Sequence, residues 1–132
     1  NDNLFINDSK ATAMDSVLVA VQAALTKTNK TKKLYLLLGG KDKNLPWNEL
    51  NVLSQHSNIS FIFFGQCGEI AQSKSQLIGT LYTKLSDAIQ FVFKNLQPGD
   101  VVLLSPGGTS LDEFKNFEER GRAFKTIVQN LK

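Results

Sequence analysis

Leu34-Tyr35-Leu36-Leu37-Leu38 is an unbroken apolar run closed by Gly39-Gly40. A strand with one wet face alternates apolar and polar residues. A run with no polar position suits a strand covered on both faces, as in a parallel sheet between helical layers. Outward from it the same pattern recurs. Ile59-Ser60-Phe61-Ile62-Phe63-Phe64 reads as a second such strand closed by Gly65, and Val101-Val102-Leu103-Leu104 as a third. Leu4 to Ile6 reads as a short strand, and Leu77 to Tyr82 is ambiguous, with a short strand as one reading.

Helical spacing fills the gaps. Met14, Val17, Leu18, Val21, Ala24 and Leu25 predict a helix from about Thr12 to Leu25. Trp47, Leu50 and Leu53 predict a short helix after Pro46, and Cys67 to about Lys74 another. Leu85, Ala88, Ile89, Val92, Phe93 and Leu96 make a clear amphipathic helix, followed by the turn Gln97-Pro98-Gly99-Asp100. The last helix is expected from Ser110, with Leu111, Phe114, Phe117, Gly121, Phe124, Val128 and Leu131 as its apolar stripe. Glu118, Glu119, Arg120, Arg122 and Lys125 then form its charged face. Thr12-x-x-Asp15 and Ser110-x-x-Glu113 each fit a capping box. Strands alternating with helices imply right-handed βαβ units. The expected fold is α/β: a Rossmann-like, mostly parallel sheet flanked by helices on both faces, in a single domain over residues 1–132.

Composition narrows the function. The chain is 42% hydrophobic and 20% charged, an ordinary globular balance, with nine Phe predicting a phenylalanine-heavy core. A net charge of +3 allows anionic ligands, and no basic stripe marks a nucleic-acid binder. The densest basic run, Lys27 to Lys33, reads as a solvated loop. One cysteine, Cys67, excludes an internal disulfide and fits a reducing compartment. No apolar run approaches the ~20 residues of a membrane span, and no signal peptide is visible. The abrupt start at Asn1, without Met, reads as a fragment of something longer.

Three polar loops follow strands: Asn7 to Thr12, Gly39 to Asn44, and Ser105 to Ser110. In a parallel sheet all three lie at the carboxyl edge, where such folds bind ligands. Asn7-Asp8-Ser9-Lys10-Ala11-Thr12 offers a carboxylate, an ammonium and two hydroxyls, a mixture suited to an anion or a nucleotide; composition by itself favours an ordinary polar loop with a helix cap. Lys43 can pair with a carboxylate or phosphate, or stand as a surface lysine. Ser105 to Ser110, if it opens a helix, presents free N–H groups to an anion. Neither the Walker pattern nor the Gly-x-Gly-x-x-Gly fingerprint occurs. His56 and Cys67 lack partners for a metal set or a nucleophilic pair and read as structural; Trp47 and Tyr82 read as packing residues, and Phe117 as either core or the wall of an anion site.

These motifs resemble those of the D-glutamate-adding peptidoglycan Mur ligases, UDP-N-acetylmuramoyl-L-alanine:D-glutamate ligases. Asn7-Asp8-Ser9-Lys10-Ala11-Thr12 is similar to that family's signature, and Leu37-Leu38-Gly39-Gly40 with Asp42-Lys43 to its second motif. Ser105-Pro106 and Ser110-Leu111-Asp112-Glu113-Phe114-Lys115-Asn116-Phe117-Glu118-Glu119-Arg120-Gly121 are similar to its C-terminal motif. The resemblance covers the whole chain but only the family's third domain; the UDP-binding and central ATPase domains are absent from it. The family's ATP phosphorylates the carboxylate of UDP-N-acetylmuramoyl-L-alanine, and the D-glutamate amine attacks the acyl phosphate. The resemblance implies that Thr12, Lys43, Ser110, Leu111 and Phe117 hold D-glutamate. It implies that Asn7 and Asp8 face the nucleotide and that Lys10 contacts it and stabilises charge developing at its terminal phosphate. ATP and Mg²⁺ would be held mainly by the absent central domain, and no metal by this one. A cytoplasmic bacterial monomer with no nucleic-acid or membrane partner is implied, with this domain inactive by itself. Three departures from the family pattern stand out: Ala13 for Asn, Asn44 for a frequent Gly, and Gly107-Gly108-Thr109 for the commoner small Ala/Cys-type residues, expected to make that loop more flexible.

Overall fold

The computed structural model describes residues 3–28 and 32–132. Lys30, in the expected basic loop, lies outside the described residues. Five strands form one sheet: β1 (Leu4–Asn7), β2 (Leu34–Gly39), β3 (Ile59–Phe64), β4 (Gly79–Tyr82) and β5 (Val101–Gly107). Their order is β1-β5-β2-β3-β4, and every pair is parallel. Helices α1 (Met14–Leu25), α2 (Gly68–Ser75), α3 (Leu85–Asn95) and α4 (Phe117–Leu131) connect and cover them, with a 3₁₀ helix over Trp47–Gln55. The ambiguous segment before Tyr82 resolves as the short edge strand β4.

The opening run behaves as its composition requires. Leu34, Leu36 and Leu38 join one core with α1, the 3₁₀ helix and α2, while Tyr35 and Leu37 join a second core with α3 and α4. Because both faces are covered, β2 carries only one polar side-chain group, the Tyr35 hydroxyl, which donates to Asn95 O at 3.1 Å. Each fully buried leucine here contributes about 2 kcal/mol of transfer free energy. The turn into β5 is fixed by Asp100, whose carboxylate accepts the Lys33 and Gln97 N–H groups at 2.9 Å each.

Both expected capping boxes are corrected. The N-cap of α1 is Ala13, with no side-chain cap. A turn closed by the Ala11 N–H to Asp8 O bond (2.9 Å), with Ala11 O tied to the Gly107 N–H, delays the helix by two residues. The last helix begins at Phe117, not Ser110. Its N-cap is Asn116, whose Oδ1 accepts the Glu119 N–H at 2.8 Å while Glu119 Oε1 accepts the Lys115 N–H. Leu111 and Phe114 therefore precede the helix, and Phe117 opens it rather than lying two turns in. Residues 110–114 instead make a turn in which Ser110 O accepts from Glu113 and Phe114.

Glu113 caps a different helix, its carboxylate accepting the Leu85 N–H of α3 at 3.2 Å. Burial pushes its carboxyl above the ordinary value, against the pull of that bond. A raised folded pKa means that the folded state holds the proton longer than the unfolded one, so stability is lost as pH rises through it. Glu113→Gln keeps an acceptor for Leu85 and removes the buried charge. In denaturant titrations it should match wild type below about pH 4 and exceed it at pH 7; equal stability at both would show that the charge carries no penalty.

Candidate functional site at the carboxyl edge

β1, β5 and β2 are consecutive in the sheet, so their three following loops meet at one edge. Backbone bonds fasten them together. The Lys41 N–H donates to Thr109 O (2.8 Å) and the Thr109 N–H to Lys41 O (2.9 Å), joining the β2 loop to the β5 loop. The Gly107 N–H reaches Ala11 O (2.9 Å) and the Gly108 N–H reaches Gly39 O (3.0 Å). The expectation of a flexible Gly107-Gly108-Thr109 is corrected: β5 runs on to Gly107, and all three residues are buried. A Cβ on Gly108 would lie 2.4 Å from Gly39 O, so glycine there serves close approach. Gly107→Ala meets both a φ of +80° and the Met14 and Trp47 side chains. It should cost about 2 kcal/mol in denaturant unfolding; a neutral result would mean that the strand end relaxes freely.

The β1 loop is held from α4 by Arg120, which the sequence placed on a solvated face and which is fully buried. Its Nε donates to Ser9 Oγ (2.9 Å), Nη2 to Ser9 O (2.8 Å) and Nη1 to Gly108 O (3.1 Å). Ser9 Oγ in turn donates to Phe117 O at 2.8 Å. One guanidinium thus ties the residue between Asp8 and Lys10 to the strand end that leads to Ser110. Burial lowers its pKa to about 10, with Asp112, Cys67 and Glu113 pulling the other way, so it stays charged at neutral pH. The signal was present in the sequence: Arg120 sits three residues after Phe117 and four before Phe124, on the apolar stripe.

Of the residues singled out by sequence, Lys10, Thr12, Lys43, Leu111 and Phe117 are exposed, Asn7 is exposed at the strand end, Asp8 is half-buried and Ser110 is buried. Asp8 Oδ2 accepts from Ser105 Oγ at 3.1 Å, and Asn7 Oδ1 from the Ser9 N–H at 3.1 Å. Lys43 rides on a turn set by Asp42, whose Oδ1 accepts the Leu45 N–H (3.0 Å) and Trp47 Nε1–H (3.1 Å). Burial pushes the Asp42 carboxyl up, but these donors and the Lys74 charge outweigh it and hold it below the usual range. The next residue, Asn44, has φ +58°, a left-handed position that asparagine tolerates next best to glycine. Asn7, Lys10 and Phe117 line one cleft of about 280 Å³ against α4. Asn7, Asp8 and Lys10 line a second, of about 700 Å³, against α1. Lys43 lines neither of these two clefts; its loop is fastened to the β5 loop by the Lys41–Thr109 pair.

Ser110 and Leu111 lie in a turn and not at a helix N-terminus, so a helix dipole offers nothing there. Their N–H groups have no partner among the described residues. Cys67 is buried, and burial, with Asp42 and Asp112 nearby, pushes its thiol up to about 12, so it is no nucleophile at neutral pH. Trp47 is core, and Tyr82 packs on Phe91 at 5.5 Å between ring centroids. His56 sits at the opposite end of the sheet, after the 3₁₀ helix and before β3. Among the described residues no group of three or more His, Cys, Asp or Glu is gathered for a metal, and no helix is long and apolar enough to cross a membrane.

In fold, the chain is an α/β domain with a five-stranded all-parallel sheet covered by helices, and it shares that fold with a domain of a Mur-type ligase. A crystal structure described as a domain from a UDP-N-acetylmuramate:L-alanyl-γ-D-glutamyl-meso-diaminopimelate ligase of Haemophilus ducreyi matches it with TM-score 0.52. That match covers 98% of this chain and 85% of the other at 16% identity. By sequence, the chain is similar to the C-terminal third or less of curated UDP-N-acetylmuramoylalanine–D-glutamate ligases. It is 39% identical to that of Elusimicrobium minutum over 131 residues, 96% of this chain and 28% of the relative. It is 44% identical to that of Buchnera aphidicola from Schizaphis graminum over 133 residues, 99% of this chain and 29% of the relative. The chain therefore spans under a third of the curated relatives it matches. No family model matches it.

Proposed function

We propose that this chain is the C-terminal, D-glutamate-binding domain of an ATP-dependent ligase that joins D-glutamate to UDP-N-acetylmuramoyl-L-alanine in peptidoglycan synthesis. The observation that supports the reading is the paired Lys41–Thr109 bond, which fastens the loop carrying Lys43 to the loop carrying Ser110 and Leu111. D-Glutamate has two carboxylates. Lys43 supplies a charge for one, and the free Ser110 and Leu111 N–H groups supply donors for the other. Thr12 adds a hydroxyl that caps no helix, and Phe117 an exposed ring beside Lys10. Asn7, Asp8 and Lys10 turn toward the nucleotide, Lys10 opposing charge on its transferred phosphate.

ATP and Mg²⁺ are then held mainly by regions outside this chain, which fits the lack of a Walker pattern within it. The isolated domain is inactive on this reading. The test is ADP release by the full-length protein with UDP-N-acetylmuramoyl-L-alanine, comparing D- with L-glutamate, in wild type and Lys43→Ala. Loss of one charged hydrogen bond should raise the D-glutamate KM more than about tenfold. Full activity in Lys43→Ala would remove Lys43 from the site. No D-glutamate-dependent turnover in wild type would leave only an anion- or nucleotide-binding module.

A further inference from the structure

Ser110 and Leu111, whose N–H groups have no partner among the described residues, lie between two anchors. Upstream, Thr109 is tied to Lys41 through both its N–H and its carbonyl. Downstream, Asp112 Oδ2 accepts the Gln66 N–H at 2.9 Å. Gln66 belongs to the loop leaving β3, a fourth loop at this edge beside the three read from the sequence. It is fastened there by the Cys67 N–H, which donates to Gly40 O at 2.8 Å, and by the Gly40 N–H, which donates to Phe64 O at 3.2 Å. The contacts close a ring: from Lys41 to Thr109, along the chain to Asp112, across to Gln66 and Cys67, and back through Gly40. The upstream anchor is backbone on both sides, so almost any residue could make it. The downstream anchor depends on one carboxylate.

The fold makes room for that carboxylate. Gly65 has φ +79°, and a Cβ there would stand 2.5 Å from Asp112 Oδ2, so only glycine admits it. Past it the turn closes on itself, Ser110 O accepting the Glu113 N–H (3.2 Å) and the Phe114 N–H (2.8 Å). The Glu113 carboxylate is spent on the Leu85 N–H of α3 and cannot replace Asp112 at the β3 loop. Asp112 is also near enough to Arg120 to favour the charged guanidinium, so it borders the group that holds Ser9 and Gly108.

We propose that Asp112 is a positioning residue for the amino-acid substrate: it clamps the turn over residues 110–114 to the β3 loop and so sets where the Ser110 and Leu111 N–H groups meet a substrate carboxylate. The proposal rests on the D-glutamate reading given above. Asp112 touches no reacting atom. It acts through two backbone donors, and donors displaced by ~1 Å lose most of their value.

The test is made on the full-length protein. Asp112→Ala should raise the D-glutamate KM about tenfold. It should change the KM for ATP and for UDP-N-acetylmuramoyl-L-alanine less than about twofold. Amide hydrogen exchange at Gln66, Glu113 and Phe114 should quicken. Asp112→Asn keeps an acceptor for Gln66 and should bring the D-glutamate KM to within about threefold of wild type. Asp112→Glu keeps the charge on a longer stem and should still raise that KM; it carries the test if Asp112→Ala does not fold. Asp100→Asn is the control, since it takes one acceptor from a carboxylate clamp of the same kind at the opposite edge. It should lower Tm and leave the D-glutamate KM unmoved. An unchanged D-glutamate KM in the alanine and glutamate variants, unchanged exchange at Gln66, an equal rise in the KM of all three substrates, or the same rise in Asp100→Asn would each overturn the proposal and leave the ligase reading in place. No D-glutamate-dependent turnover in wild type would overturn both.

Discussion

Arg120→Leu should lower the unfolding free energy by about 3 kcal/mol, a fall in Tm of roughly 10 °C for a domain of this size. The substitution removes three hydrogen bonds from a charged donor and leaves Ser9 O and Gly108 O without that partner in the interior. Bonds to charged groups are worth about 1.5–3 kcal/mol each, but burial of the guanidinium offsets part of that, as its pKa of about 10 indicates. Arg120→Lys keeps the charge and the stem but not the fork, and one ammonium cannot serve Ser9 Oγ, Ser9 O and Gly108 O together. It should fall between leucine and wild type in thermal unfolding. A loss under about 1 kcal/mol for Arg120→Leu would mean that desolvation cancels the bonds. The residue would then orient the β1 loop without stabilising the fold, and hydrogen exchange at Ser9 and Gly108 would report the change.

Trp47→Ala carries the second large effect, about 4 kcal/mol measured by denaturant unfolding. Trp47 is fully buried, and its ring edge lies 3.0 Å from where a Gly107 Cβ would stand. It packs the 3₁₀ helix against the end of β5. Its Nε1–H also satisfies Asp42, so its removal loosens the turn that carries Lys43. Trp47→Phe fills most of the volume and loses that hydrogen bond, and should cost about half as much. The two variants separate packing from turn geometry. If phenylalanine restores stability while the Leu45 amide still exchanges faster than in wild type, the indole N–H acts on the loop. If Trp47→Ala costs under about 1 kcal/mol, the ring is not the wedge described here.

Much of the fold was legible because β2, β3 and β5 are apolar at nearly every position, and only a sheet covered on both sides makes that run sensible. The amphipathic spacing of α3 was equally plain. The start of α4 was not. Ser110-x-x-Glu113 and Asn116-x-x-Glu119 both satisfy a capping pattern, and local sequence cannot rank them. Tertiary contacts decide: Thr109 is engaged by Lys41, and Glu113 is drawn to the α3 N-terminus, which leaves Asn116 to cap. Arg120 was masked by its charged neighbours Glu118, Glu119 and Arg122, which read as surface, although its spacing from Phe117 and Phe124 puts it on the apolar stripe. The three candidate loops were legible as sharing one edge because strand direction alone puts them there. The paired link between Lys41 and Thr109 is a matter of register, which strand composition does not encode.

The placement of β1 also has a consequence in time. Leu4 pairs with Val101, and Asn7 with Leu104, nearly a hundred residues later. Chains are made from the amino end, and domains take shape as their partners emerge. The Asn7–Thr12 loop therefore has no strand to align with until β5 has left the ribosome, and no Arg120 to hold it until α4 follows. Such distant pairings are slow to form. The β1 residues are made before the strand they pair with and are among the last of the domain to be set in place, so the site is completed only when the domain around it is whole.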